Sequence, residues 1–149
     1  MFPALGVGEE LGELIFAEDK DDIALGIDAM ADIGIYLTDV CNRLGIKMQT
    51  LRFNSRKPHD PGRFYLAFSY QLGKLNHAVL KSAQKIRMDE DHAKTAYLAI
   101  QGMFDCLQMH AAEKYKRDLL TEIIYPEWEK VRERDWTKER PAEETAKVT

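Results

Sequence analysis

The stretch from Asp22 to Leu44, DIALGIDAMADIGIYLTDVCNRL, decides how the rest of the chain is read. Ile23, Ile27, Met30, Ile33, Leu37, Cys41 and Leu44 recur every three or four residues and fall on one stripe of a helix. Gly45 follows Leu44, where a glycine that ends a helix is expected. The side opposite Met30 is unusual: it carries Asp28, Asp32 and Asp39 together with Leu25, Ala31 and Ile35. Between Ile23 and Asn42 those three aspartates are the only charged residues, with no cation among them.

Working outward, helical periodicity dominates and strand-like alternation is nearly absent. A first helix is predicted from Val7 to about Glu18, with Val7, Leu11, Leu14 and Ile15 on its apolar side. Residues 45–61 contain Gly45, Pro58 and Pro61 and read as a connector, with a helical turn near Met48–Phe53. A third helix is predicted from about Arg63 to Arg87, a turn over Met88–His92, a fourth helix from Ala93 to Tyr115 and a fifth from Leu119 to Arg134. Pro126 should kink the fifth helix or split it. Trp128 and Trp136 are expected to pack that last helix, and residues 139–149 form a polar tail. The class is all-α, a bundle of about five helices.

Composition narrows the setting. The chain has 149 residues, 45% hydrophobic and 31% charged, which suits a globular domain with a sizeable core. Cys41 and Cys106 are too few and too isolated for a disulfide framework or a zinc site. No run approaches the roughly 20 apolar residues of a membrane helix, and no basic segment leads into an apolar one at the N-terminus. A cytoplasmic protein without membrane contact is expected.

Parts of the sequence echo one another. Glu10-Leu11-Gly12-Glu13-Leu14 returns as Gln71-Leu72-Gly73-Lys74-Leu75, and Ala29-Met30-Ala31-Asp32 returns as Gly102-Met103-Phe104-Asp105. Two helical hairpins in tandem are expected, over 1–58 and 62–138; two unrelated hairpins packed as a bundle would also fit. The copies differ in chemistry, because Lys74 stands at the place of Glu13 and Gln71 at that of Glu10.

The net charge of −4 conceals a sharp asymmetry. Residues 1–41 hold ten acids and a single base, Lys20, while the remainder holds 15 acids and 20 bases. Glu9, Glu10 and Glu13 share one face of the first helix, being three or four residues apart; Asp28 and Asp32 do so on the second. Like charges crowded on adjacent helices repel and raise one another's pKa unless a cation intervenes. A divalent ion would supply that charge, and all-oxygen ligation points to Mg²⁺, with Mn²⁺ possible. The same pattern also fits acids on a solvated face. His59, His77, His92 and His110 show no ligand spacing, and the basic residues of the remainder are too diffuse for a nucleic-acid surface.

These acids resemble a known motif. Glu9-Glu10-Leu11-Gly12-Glu13-Leu14 followed by Asp28-Ala29-Met30-Ala31-Asp32 and Cys41-Asn42-Arg43 is similar to the MazG-type all-α nucleoside triphosphate pyrophosphohydrolases, whose pattern is Glu-Glu-x-x-Glu and then Glu-x-x-Asp. Ala29 stands where that pattern has its second-helix glutamate, and Asp28 is the acid available in its place. The resemblance extends to Gln71–Leu75 with His77, Lys81 and Lys85, and to Trp128 through Lys138. It implies Mg²⁺-dependent hydrolysis of a nucleoside triphosphate to the monophosphate and pyrophosphate. Glu10, Glu13, Asp28 and Asp32 would be metal ligands. Glu9 and Glu13 would be the catalytic acids, Glu9 either supporting the ligands from outside or orienting the attacking water. Of the basic residues, Lys81 and Lys85 first and then Lys20 would meet the phosphates, although bases at such positions also fit a solvated surface. No serine or cysteine nucleophile is required. A helical scaffold of this type without activity, and a site completed across a homo-oligomer, are the alternatives.

Overall fold

In the computed structural model, residues 2–53 and 63–132 are described. The expectations placed on Pro58, His59, Pro61, Arg134, Trp136, Lys138 and the 139–149 tail lie outside those residues. The described residues form five α-helices: α1 (Phe2–Asp19), α2 (Ile23–Leu44), α3 (Phe64–Gln84), α4 (His92–His110) and α5 (Tyr125–Arg132). The described residues contain no strand, and the fold is an all-α bundle.

Each boundary has a local cause. Asp22 caps α2, its Oδ1 accepting from the Leu25 amide at 3.0 Å, and Gly45 ends the helix at φ 72°. Asp91 caps α4 in the same way, accepting from the Lys94 amide at 3.0 Å. The first helix begins at Phe2, five residues earlier than the periodicity predicts. Pro3 is tolerated there because a first-turn residue needs no amide hydrogen for the helix ladder. The eight residues ahead of Glu9 therefore include helix.

α1 packs along α2 and α3 along α4, giving two hairpins, and one core runs through both. Leu14, Met30, Ile33, Phe68, Ile100 and Phe104 are fully buried in it. The pattern of burial corrects the sequence echo in one place. Ala29-Met30-Ala31, Ile33-Gly34 and Leu37 of α2 correspond in burial to Ala99-Ile100-Gln101, Met103-Phe104 and Leu107 of α4. Asp32 is then matched by Gly102, not by Asp105. The two alignments differ by about one helical turn, which leaves every residue near the same face, so identity matches alone do not distinguish them.

After α4 the chain leaves α geometry. Ala111–Tyr115 and Leu119–Ile124 are π-helical, separated by Lys116 in the left-handed region at φ 56°. Asp118 restarts the chain, accepting from the Thr121 amide and hydroxyl at 2.9 and 2.8 Å. Pro126 sits in the first turn of α5, where π geometry gives way to α, so the expected split falls there. The π segment lies on α2: Ile124 occupies the space a Cβ at Gly34 would take, 2.4 Å from Ile124 Cδ1. Gly34 is one turn from Met30, so this contact closes over the Met30 side of α2; on the aspartate side it is Glu127 of α5 that comes near Asp28 and Asp32.

The hairpins are joined by a buried carboxylate. Glu18 at the end of α1 accepts hydrogen bonds from the Tyr65 hydroxyl of α3, from His110 Nε2 at 2.7 Å and from the Tyr115 hydroxyl at 2.6 Å. Burial alone would raise its pKa, but the His110 and Tyr115 hydrogen bonds hold it below the ordinary carboxylate value. The stability this provides is present above that ordinary value and is lost as pH falls through the depressed one. Gly26 makes the arrangement possible, since a Cβ there would lie 2.1 Å from the Tyr115 oxygen. Gly26→Ala is expected to cost about 1–3 kcal/mol, measured by urea denaturation, because Tyr115 cannot move aside without leaving Glu18. An unchanged midpoint would mean that the Tyr115 contact is dispensable.

Candidate functional site

The acids of α1 and α2 meet at the interface of the first hairpin. Glu10 points into it: the residue is 8% exposed, and its Oε2 is buried without a hydrogen-bond partner. An ionised carboxylate is costly there, and its pKa is pushed up to about 9. The causes are burial first, then a hydrogen bond shared with Glu13, then the charges of Asp32, Glu13 and Glu9. All of these act in the same direction. Helical spacing explains the α1 contribution, because Glu9, Glu10 and Glu13 span one turn; Asp32 arrives from α2 across the hairpin.

A second group adjoins through Asp32. Carboxylate oxygens of Asp28, Asp32 and Glu127 lie within 4.8 Å of one another. Asp28 and Asp32 are one turn apart on α2, whereas Glu127 comes from α5 and is held there by the packing of Ile124 on α2. Sequence reasoning misses Glu127 entirely. No spacing links it to the other acids, and only the path of the π segment brings it to them. Lys130 lies 3.8 Å from Glu127 and is mostly exposed, so one mobile cation stands at the rim.

The remaining expected residues are placed as follows. Glu9 and Glu13 are on the exposed side of α1, next to the buried Glu10. Lys20 is beyond the end of α1, over the Phe16 ring at 5.9 Å, and Asp39 pairs with Arg43 at 3.5 Å. Lys81 belongs to the last turn of α3 and Lys85 caps that helix. Tyr65 at the start of α3 touches Glu18, and Lys81 is about 24 Å further along the axis. Among the described residues, neither Lys81 nor Lys85 forms an ion pair. Both cysteines are buried, and burial pushes their thiols up to about 11, so neither is poised as a thiolate nucleophile.

The second hairpin presents different chemistry at the corresponding place. Gln71, the counterpart of Glu10, packs on Gly102, the counterpart of Asp32; a Cβ at Gly102 would lie 2.7 Å from Gln71 Cδ. Next to them Gln101 is buried and spends its amide on the backbone of Arg52 and on Asp105. A neutral amide over a glycine replaces two carboxylates.

What the first hairpin offers is a half-buried set of oxygen ligands with one orphaned oxygen and a crowding of negative charge. Such a set suits a hard divalent cation, for which oxygen ligands from two or three elements are the usual arrangement. No helix among the described residues is long and apolar enough to cross a membrane. No protein-family model matches the chain, no curated protein matches it, and no solved structure matches it.

Proposed function

We propose that the acidic face of α1, α2 and α5 binds Mg²⁺, or Mn²⁺, and that the protein hydrolyses a nucleoside triphosphate to the monophosphate and pyrophosphate. The observation that carries this reading is Glu10 Oε2, buried without a partner and surrounded by Asp32, Glu13 and Glu9. Glu10, Glu13 and Asp32 would hold a cation at the hairpin interface, and Asp28, Asp32 and Glu127 would extend the ligand set toward solvent. The bound ion would neutralise phosphate oxygens and supply a water poised for attack. Glu9, exposed one turn from Glu13, would accept a proton from such a water or support the ligands from outside. The specific reaction rests on the resemblance of the Glu9–Leu14 and Asp28–Asp32 segments to the MazG-type motif.

Lys130, paired with Glu127, would be a further phosphate contact beside Lys20, Lys81 and Lys85. A role for those three lysines requires a substrate that reaches beyond the cluster.

The test is pyrophosphate release from a panel of ordinary and modified nucleoside triphosphates, with and without Mg²⁺. Release from at least one substrate, abolished by chelation, is expected. Absence of release, together with no thermal stabilisation by millimolar Mg²⁺, would leave a helical scaffold as the better description. Glu127→Gln is expected to weaken Mg²⁺ about tenfold in a calorimetric titration, since it removes one anionic oxygen from the solvent-side group and leaves Asp28 and Asp32 there. Affinity equal to the wild type would remove α5 from the site.

A further inference from the structure

The turn between α3 and α4 assembles a different ligand set, distant in sequence from the acids of the first hairpin. His77 lies near the end of α3, Glu90 in the turn and His92 at the start of α4. Their nitrogen and carboxylate ligand atoms lie within 4.8 Å of one another. His77 Nε2 is 3.4 Å from Glu90 Oε2, and His92 Nδ1 is 3.9 Å from the same oxygen. The imidazole rings approach edge to face, their centroids 6.2 Å apart.

His92 makes this more than a surface cluster. Its side chain is 6% exposed, and Nδ1 is buried without a hydrogen-bond partner. The other nitrogen, Nε2, lies 3.2 Å from the Ile86 carbonyl, which can only accept, so Nε2 carries the proton. In the neutral ring Nδ1 then presents a lone pair, and it faces a carboxylate oxygen that is also an acceptor. A buried nitrogen lone pair turned toward a partly exposed carboxylate oxygen is an arrangement that a positive charge between them, a proton or a metal ion, would satisfy. An outward nitrogen held by a backbone carbonyl, with the inward one free, is the usual second partner arrangement of a metal-ligating histidine.

From this geometry we infer that His77, Glu90 and His92 form a binding site for a transition-metal divalent ion of the zinc type. Two imidazoles and one carboxylate are a donor set that zinc accepts, with solvent in the fourth position. Tetrahedral zinc with bonds of 2.0–2.1 Å sets its ligand atoms about 3.3 Å apart. The observed 3.4 and 3.9 Å are about 0.1 and 0.6 Å wider than that, and the two imidazole nitrogens, within 4.8 Å of each other, would draw together on binding. Glu90 and His77 are partly exposed, which leaves an entry path from solvent. The ion would pin the α3–α4 turn, in which Lys85 and Arg87 hold left-handed backbone at φ 55° and 51°. This site is independent of the proposed Mg²⁺ chemistry and stands or falls without it.

The experiment is a calorimetric titration of the full chain with ZnCl₂ at neutral pH, with Mg²⁺ in excess to occupy oxygen-ligand sites. CoCl₂ replaces zinc in a parallel visible-spectrum titration. A single zinc site, the intense visible bands of four-coordinate cobalt and a rise in melting temperature are expected. His77→Ala and Glu90→Ala, both at partly exposed positions, should fold as the wild type does, weaken zinc at least about tenfold and remove the cobalt bands. Asp32→Asn should leave all three readouts unchanged. No zinc binding, affinity and spectra unaffected by both variants, or binding lost with Asp32→Asn would each overturn the assignment.

Discussion

Glu13→Gln and Asp32→Asn are each expected to reduce pyrophosphate release by at least about a hundredfold, with little loss of melting temperature in the absence of metal. Removing one ligand from a cation that neutralises developing charge typically costs that much or more. Neither substitution should harm the apo fold. Glu13 is exposed, Asp32 is half-buried, and both add to the repulsion acting on Glu10. The variants are close to isosteric, so packing is preserved while an anionic oxygen is lost. Activity is measured with saturating Mg²⁺ and the best substrate of the panel. Wild-type rates in both variants would separate any hydrolysis from these acids. Equal losses in activity and in Mg²⁺ affinity would tie the two together.

Glu10→Gln is expected to stabilise the metal-free protein and to remove most of its pH dependence between about pH 5 and 9. The sign follows from the proton count. Glu10 ionises at its ordinary value near 4.5 in the unfolded chain but is pushed up to about 9 in the folded one, chiefly by burial. Between those values the folded state holds a proton that the unfolded state has released. Stability is therefore fully present below pH 4.5 and falls as pH rises toward 9, with a limiting slope of about 1.4 kcal/mol per pH unit for one proton. The amide of Gln never ionises, so the gap between variant and wild type should widen with pH. Mg²⁺ should reverse the wild-type slope by favouring the ionised carboxylate, and should leave the variant nearly unchanged. Melting curves from pH 5 to 9, with EDTA or with Mg²⁺, give both comparisons. Parallel slopes for the two proteins would show that Glu10 keeps its charge in the fold and needs no cation.

Much of the architecture is legible in the chain. The stripe from Ile23 to Leu44 gives α2, and Asp22 and Gly45 give its ends. The aspartates on the far side of α2 are also correctly read as unusual. The reason for that unusual face is not local. Glu127 from the far end of the chain comes to Asp28 and Asp32 there, and helical periodicity within α2 carries no record of what will approach it. The early start of α1 is hidden for a different reason, since Pro3, Gly6 and Gly8 weaken the helical signal that packing restores.

The acids show the same division. Glu9, Glu10 and Glu13 are one turn of helix, and Asp28 and Asp32 are another, so spacing alone places each group on a face. Spacing does not say that Glu10 turns inward to an interface where water cannot reach its second oxygen, nor that Glu127 joins Asp28 and Asp32. His77 and His92 look unrelated in sequence, yet the reversal of chain between α3 and α4 brings them to one carboxylate. The sequence by itself determined the all-α class and the concentration of acids in the first two helices, because helical periodicity and charge are local properties of the chain. Only the tertiary structure decided which acid is buried, which distant residues complete each ligand set and which register relates the two hairpins, because those depend on contacts between elements that no local pattern encodes.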